Sequence, residues 1–224
     1  MNRIRTGIAK LDNILRGGFP ENTVVLLSGG PGSGKTLFGL NFLINGIDDK
    51  TRCCYISFNE SKDELLRACS GIESLKSVKK ILDKNFVVLS LNLGEEIDVN
   101  KFIDIISSYP KLDKLVMDNI NKLLMFSEDR KDYRISLYKL VKFLKERVKC
   151  TILICETKND EIDTGNGEGF ECDGIIKLLF SEFEERPVRT LEIHKMRYTS
   201  FAPKISHEFV INDKELDITE TRIL

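Results

Sequence analysis

Gly29-Gly30-Pro31-Gly32-Ser33-Gly34-Lys35-Thr36 fits the pattern G-x-x-x-x-G-K-[ST] at every position. The run follows the strand-like Val24-Val25-Leu26-Leu27 and opens a stretch, Lys35 to Ile47, with apolar residues at helical spacing. Strand, glycine-rich turn and helix together are the context in which this pattern cradles phosphate. The glycines let backbone N–H groups turn inward around phosphate oxygens, where a side chain would collide. The new helix adds its dipole and its unpaired first-turn N–H groups. Lys35 is placed to reach the β- and γ-phosphates, and Thr36 to put its hydroxyl on Mg²⁺. The expected nucleotide contacts are therefore Gly30, Pro31, Gly32, Ser33, Gly34, Lys35, Thr36 and Leu37.

Outward from this loop, short β-branched runs alternate with amphipathic helical stretches. Thr23 to Ser28, Cys53 to Phe58, Phe86 to Leu91, Leu115 to Asp118 and Thr151 to Cys155 read as strands. Lys35 to Ile47, Ser61 to Ala68, Val99 to Tyr109 and Tyr133 to Val148 read as helices. Repeated strand-then-helix units predict an α/β fold, with a mostly parallel sheet built by right-handed crossovers. After Asp173 the pattern changes. Ile175 to Phe180, Arg189 to Lys195 and His207 to Ile211 predict an antiparallel extension of that sheet. Lys158 to Phe170, with Asn159-Asp160 and Gly165-Asn166-Gly167, reads as a loop. No repeat and no Ser/Pro/Gly linker divides the sequence, so residues 1–224 are expected to form one domain.

Two acidic positions stand where parallel strands end, which is where such folds bind ligands. Lys114-Leu115-Val116-Met117-Asp118 is an apolar strand ending in an acid, the form of a Walker B segment. Asp118 can hold a water of the Mg²⁺ shell opposite Thr36, although an Asp after a strand is also a common helix cap. In Phe58-Asn59-Glu60-Ser61, Glu60 can face the γ-phosphate and orient a water, while Ser61 caps the next helix.

Of the 224 residues, Lys and Arg number 34 and Asp and Glu 35. The resulting net charge of −1 gives no electrostatic case for nucleic acid, but leaves room for a local basic patch. The apolar runs are too short to span a bilayer, and the N-terminus leads into no apolar stretch. A soluble, cytoplasmic protein is expected. Cys53, Cys54, Cys69, Cys150, Cys155 and Cys172 form no Cys-x-x-Cys, and His194 and His207 lie far from them in sequence. That spacing gives no zinc site, and Cys53, Cys54, Cys150 and Cys155, inside apolar strand-like runs, predict buried thiols.

Further motifs carry a family resemblance. Thr6-Gly7-Ile8-Ala9-Lys10-Leu11-Asp12, Gly17-Gly18-Phe19-Pro20, Tyr55-Ile56-Ser57-Phe58-Asn59-Glu60-Ser61, Cys172-Asp173-Gly174-Ile175-Ile176 and Lys195-Met196-Arg197 resemble KaiC-like ATPases of the RecA superfamily. The resemblance spans almost the whole chain in one copy. It implies a RecA-like P-loop NTPase fold, ATP and Mg²⁺ as cofactors, and a homo-oligomer, a hexameric ring with nucleotide at subunit interfaces. The Lys-Met-Arg element resembles a finger placed on the neighbouring subunit's ATP, which carries over to Lys195 and Arg197. Two cations at i and i+2 share one strand face and can meet developing γ-phosphate charge together. The catalytic set so implied is Lys35, Glu60, Lys195 and Arg197.

The chain also departs from the family. A Glu-Glu pair is usual where Asn59-Glu60 stands, which implies slow turnover. Asn119 follows Asp118 where Ser is typical, and Tyr198 and Phe201 replace a Gly and a His. The positions matching the clock protein's phosphorylated Ser-Thr pair are Gly169 and Phe170, which offer no hydroxyl. The leading expectation is a ring-forming regulatory or motor-type ATPase with an unidentified protein partner. Two alternatives stand beside it. One is a RecA/RadA-type recombinase paralogue binding DNA, although its candidate loops, Asn121 to Arg130 and Lys158 to Phe170, are mixed or acidic. The other is a nucleotide-sensing scaffold with little hydrolysis.

Overall fold

A computed structural model describes residues 1–48, 50–91, 98–158, 161–183 and 186–222. The strands are β1 (Arg3–Ile4), β2 (Phe19–Pro20), β3 (Thr23–Gly29), β4 (Cys53–Ser57), β5 (Phe86–Ser90) and β6 (Leu112–Asp118). They continue with β7 (Val148–Glu156), β8 (Gly174–Phe183), β9 (Arg186–Met196), β10 (Ser206–Ile211) and β11 (Leu216–Arg222). The helices are α1 (Ala9–Ile14), α2 (Lys35–Ile44), α3 (Lys62–Ser70), α4 (Val78–Ile81), α5 (Val99–Ser107), α6 (Lys122–Met125), α7 (Arg130–Arg147) and α8 (Glu168–Glu171). Among the described residues, nine strands form one sheet in the order β11-β10-β9-β8-β3-β7-β6-β4-β5, while β1 and β2 pair separately.

From β8 to β5 the neighbours run parallel, and β9, β10 and β11 add the antiparallel extension. The continuous apolar runs arise because both faces of the parallel part are covered. On β3, Val25 and Leu27 face a core shared with Phe38 and Phe42 of α2, while Val24 and Leu26 face one shared with Leu137 and Leu140 of α7. All six cysteines are buried and unpaired, and burial pushes thiols such as Cys53 and Cys150 up to about 12. Among the described residues, no helix is long and apolar enough to cross a membrane.

Several element ends differ from the sequence expectation, each for a local reason. Helix α2 stops at Ile44, because Asn45 turns to an extended conformation and Gly46 adopts φ 70°. Helix α7 begins a turn earlier than Tyr133, where the Asp129 side chain accepts the Asp132 N–H. Val148, expected as its last residue, is already extended and starts β7. At the end of the segment read as a loop, of which Asn159-Asp160 lies outside the described residues, Glu168–Glu171 makes a helical turn that runs one residue past it. The sheet also gains an unexpected final strand, β11, which covers the outer edge of β10.

Candidate active site

Strand β3 ends at Gly29, and the glycine-rich turn carries the chain into α2. Gly29, Gly32 and Gly34 have φ of 155°, 75° and 98°. A Cβ on Gly29 would lie 2.3 Å from the Leu178 carbonyl oxygen of β8, so the loop base admits only glycine. Ser33 Oγ and Lys35 Nζ both donate to the Gly30 carbonyl, at 2.8 and 2.7 Å. Helical bonding begins with Phe38 N–H to Gly34 O, which leaves the N–H groups of Lys35, Thr36 and Leu37 in the unpaired first turn. The Leu37 side chain packs against the core. Burial holds the Lys35 ammonium below its ordinary pKa, against the opposing pull of the Glu156 and Asp118 carboxylates.

Asp118 closes β6 beside this turn. Thr36 Oγ1 donates to Asp118 Oδ2 at 3.0 Å, and the buried Tyr55 hydroxyl donates to the same oxygen at 2.6 Å. Burial raises the Asp118 pKa, and these two hydrogen bonds oppose the rise. A carboxylate and a hydroxyl converging next to a phosphate cradle form the hard-oxygen donor set that suits Mg²⁺.

Glu60 follows β4, with its N–H on Ser57 Oγ at 2.9 Å. Its Oε2 is buried and has no hydrogen-bond partner among the described residues. Burial, then the negative charges of Asp118 and Glu64, raise its pKa. Such an oxygen is ready to accept a proton or hydrogen bond from a water. Ser61 does cap α3 in a capping box with Glu64, so the two expectations for this segment are compatible. Asn59 is exposed.

Three contributions were not legible in the sequence. Tyr55 is one. Arg189 is another: its Nε donates to the Gly32 carbonyl at 3.0 Å, and its guanidinium lies 4.8 Å from the Phe180 ring centroid. Because β9 runs antiparallel beside β8, its first half comes alongside the phosphate loop. That depends on strand order and leaves no local signal. The third is Glu156, in register with Gly29; its peptide is locked by Asn121, whose Oδ1 accepts the Glu156 N–H and whose Nδ2 donates to its carbonyl, both at 2.8 Å.

The structure gathers the Gly30–Leu37 loop, Glu60 and Asp118, but holds Lys195 and Arg197 away from them. Lys195 pairs with Ile175, which pairs with Leu26. Arg197 N–H reaches Asp173 O, and Asp173 N–H reaches Val24 O. Arg197 thus sits level with the start of β3, five residues from Gly29, or roughly 17 Å at ~3.3 Å per residue. Lys195 Nζ is taken up by the carbonyls of Gly169 and Cys172 at 3.0 and 2.6 Å. Arg197 Nη1 meets the buried Asp173 Oδ1 at 3.2 Å, with about half its side chain exposed.

The chain resembles known proteins over nearly its whole length. The family model described as the KaiC ATPase matches residues 4–222. A UPF0273 protein of Methanocaldococcus jannaschii is 30% identical, over 100% of this chain and 99% of its own length. The circadian clock protein KaiC2 of Synechocystis is 28% identical over 86% of this chain, but only 36% of its own length. The crystal structure of a KaiC-like protein from Pyrococcus horikoshii superposes with a TM-score of 0.83 at 27% identity, covering 97% of this chain and 99% of that one.

Proposed function

This chain belongs to the KaiC ATPase family, and we propose that it hydrolyses ATP as a head-to-tail ring, a hexamer, in which Arg197 of each subunit completes the site of its neighbour. The observation that carries this reading is the split of the machinery across the protomer. The phosphate loop, Thr36, Asp118 and Glu60 lie at one end of β3, and Arg197 lies at the other with its guanidinium half-exposed. A contact between unlike faces, repeated by rotation, closes a ring and brings those ends together.

Within one site, the loop N–H groups hold phosphate oxygens, and Lys35 exchanges its Gly30 carbonyl for the β- and γ-phosphates. Thr36 and Asp118 are the residues that would hold Mg²⁺, which when bound neutralises charge developing on the phosphate oxygens. Arg189, already on the loop at Gly32, stands in the same subunit to steady the phosphate chain. Glu60 Oε2 accepts hydrogen from a water whose oxygen forms the new bond to the γ-phosphorus. The bond from that phosphorus to the bridging oxygen of ADP breaks. Arg197 from the neighbour meets the charge on the transferring phosphoryl group, a task suited to an always-charged planar fork. With Asn59 in place of a second carboxylate, turnover is slow.

Lys35→Ala is expected to lose tight binding of a fluorescent ATP analogue, and Arg197→Ala to keep it. Each is inactive alone. Mixed one to one after verified subunit exchange, they should regain about a quarter of wild-type activity, the fraction of interfaces pairing an intact loop with an intact finger. No recovery would place the finger in its own subunit's site.

A further inference from the structure

Arg197 stands just outside the sheet. Strand β9 ends at Met196, and Arg197 and Tyr198 form the turn that leaves it. Upstream, the Arg197 N–H is held by Asp173 O at 2.9 Å. Downstream, Tyr198 has φ 62°, in the left-handed region that a bulky residue rarely adopts. Tyr198 is also 61% exposed, so burial of its ring does little to hold that conformation.

What holds the turn comes from the far end of the chain. Arg3 of β1 donates from Nη1 to Thr199 Oγ1 at 2.6 Å and from Nη2 to Tyr198 O at 2.9 Å. Its Nη1 also reaches Gly18 O at 3.4 Å. One planar fork thus bridges the turn after β9 and the Gly17-Gly18 segment. The mounting of this fork is itself fixed. Arg3 and Ile4 pair with Pro20 and Phe19 of β2, and a Cβ on Gly18 would lie 2.3 Å from Ile4 O, so only glycine lets the chain pass so close to β1. Phe19 is fully buried and meets Phe42 of α2 edge to face, with ring centroids 5.7 Å apart. Through Arg3 and Phe19, the turn is tied to the helix that follows the phosphate loop.

We propose that Arg3 is a positioning residue for turnover: its guanidinium holds the turn that aims Arg197, so that β1, β2 and the Gly17-Gly18 segment serve the reaction without touching nucleotide. The proposal rests on Arg197 being the finger, as read above. Asp173 fixes that residue from one side, and Arg3 fixes the next peptide from the other. A long side chain beyond the end of a strand keeps one direction only when both flanks are held, and a misdirected group loses most of its catalytic effect. Losing Arg3 is therefore a defect of the subunit that gives the finger, not of the subunit that binds the ATP.

The test uses Arg3→Met in the full chain, with phosphate release as the readout. Its kcat is expected to fall about tenfold, with an unchanged circular dichroism spectrum and unchanged binding of a fluorescent ATP analogue. Subunit mixing then assigns the defect. Mixed one to one with Lys35→Ala, whose finger is intact, activity should rise to about a quarter of wild type; mixed with Arg197→Ala, it should fall to about half the Arg3→Met level. The reverse pattern places Arg3 at its own subunit's nucleotide and overturns the proposal. Thr199→Val removes one acceptor, leaves β1 intact and should lower kcat about threefold; should Arg3→Met fail to fold, this variant carries the mixing test. Wild-type kcat in either folded variant overturns the proposal. Arg3→Met combined with Arg197→Ala should turn over no more slowly than Arg197→Ala alone, and a further tenfold loss overturns the proposal. If Lys35→Ala and Arg197→Ala fail to complement each other while that equality holds, the ring falls and Arg3 aims a finger within its own subunit.

Discussion

Glu60 combines two properties that its position alone does not guarantee: a buried, unpartnered Oε2 and a pKa raised first by burial and then by Asp118 and Glu64. The raised pKa makes it a better base, and it also sets a sign for pH dependence. Activity needs the deprotonated form, so turnover is lost as pH falls through a value above the ordinary 4.5 of a glutamate. Glu60→Gln is expected to lower kcat by about 10² or more while analogue binding persists. That acid limb should also vanish from its residual activity. Phosphate-release assays from mildly acidic to neutral pH check both, and a variant with wild-type kcat moves the proton acceptor elsewhere.

At the scale of elements, the phosphate-loop helix is pinned at its far end by a residue on another strand. Lys114, 3% exposed in the middle of the sheet, donates from Nζ to Phe42 O at 2.6 Å, Asn45 O at 3.0 Å and Arg5 O at 3.2 Å. The same ammonium lies 4.7 Å from the Phe42 ring centroid. A lysine so placed satisfies terminal helix carbonyls and ties α2 to the segment preceding α1. Lys114→Met keeps the apolar stem but abandons all three carbonyls. A stability loss of about 2 kcal/mol or more is expected in urea unfolding. A midpoint within error of wild type would mean that the carbonyls find other partners. The sequence showed Lys114 only as the first residue of an apolar strand. Its use as a helix clamp depends on α2 ending where it does.

Across the whole molecule, Asp173 joins the two halves of the proposed machinery. Its Oδ2 accepts the Val24 N–H at 3.1 Å and its own N–H reaches Val24 O at 2.7 Å, at the start of the strand that ends in the phosphate loop. Its Oδ1 accepts from Lys145 at 2.8 Å and Arg197 at 3.2 Å. One buried carboxylate therefore fixes the finger relative to the loop strand of the same subunit. Asp173→Asn is expected to reduce turnover to about the level of Arg197→Ala, with analogue binding retained. Combined with Arg197→Ala, it should cost little more, because both changes remove one device. Lys145→Met leaves the Arg197 contact in place and should keep turnover. It separates loss of the finger from general damage to a buried charge cluster. Wild-type kcat in a folded Asp173→Asn protein would show that Arg197 is oriented by something else.

The phosphate loop, the alternation of strands and helices, the acid closing β6 and the glutamate just after β4 were all legible in the chain itself. Each is written in neighbouring residues: glycines where φ must be positive, apolar residues at the period of a helix or a buried strand, a carboxylate one step past an apolar run. Tertiary structure alone decided the rest. It set β8 beside β3 and so brought Arg189 to Gly32, put the Tyr55 hydroxyl on Asp118, and took up Lys195 with the α8 carbonyls. Those partners are distant in sequence, and they meet only once strand order and register have been chosen. That choice is made by burying both faces of the whole sheet together, a collective requirement that no local stretch encodes.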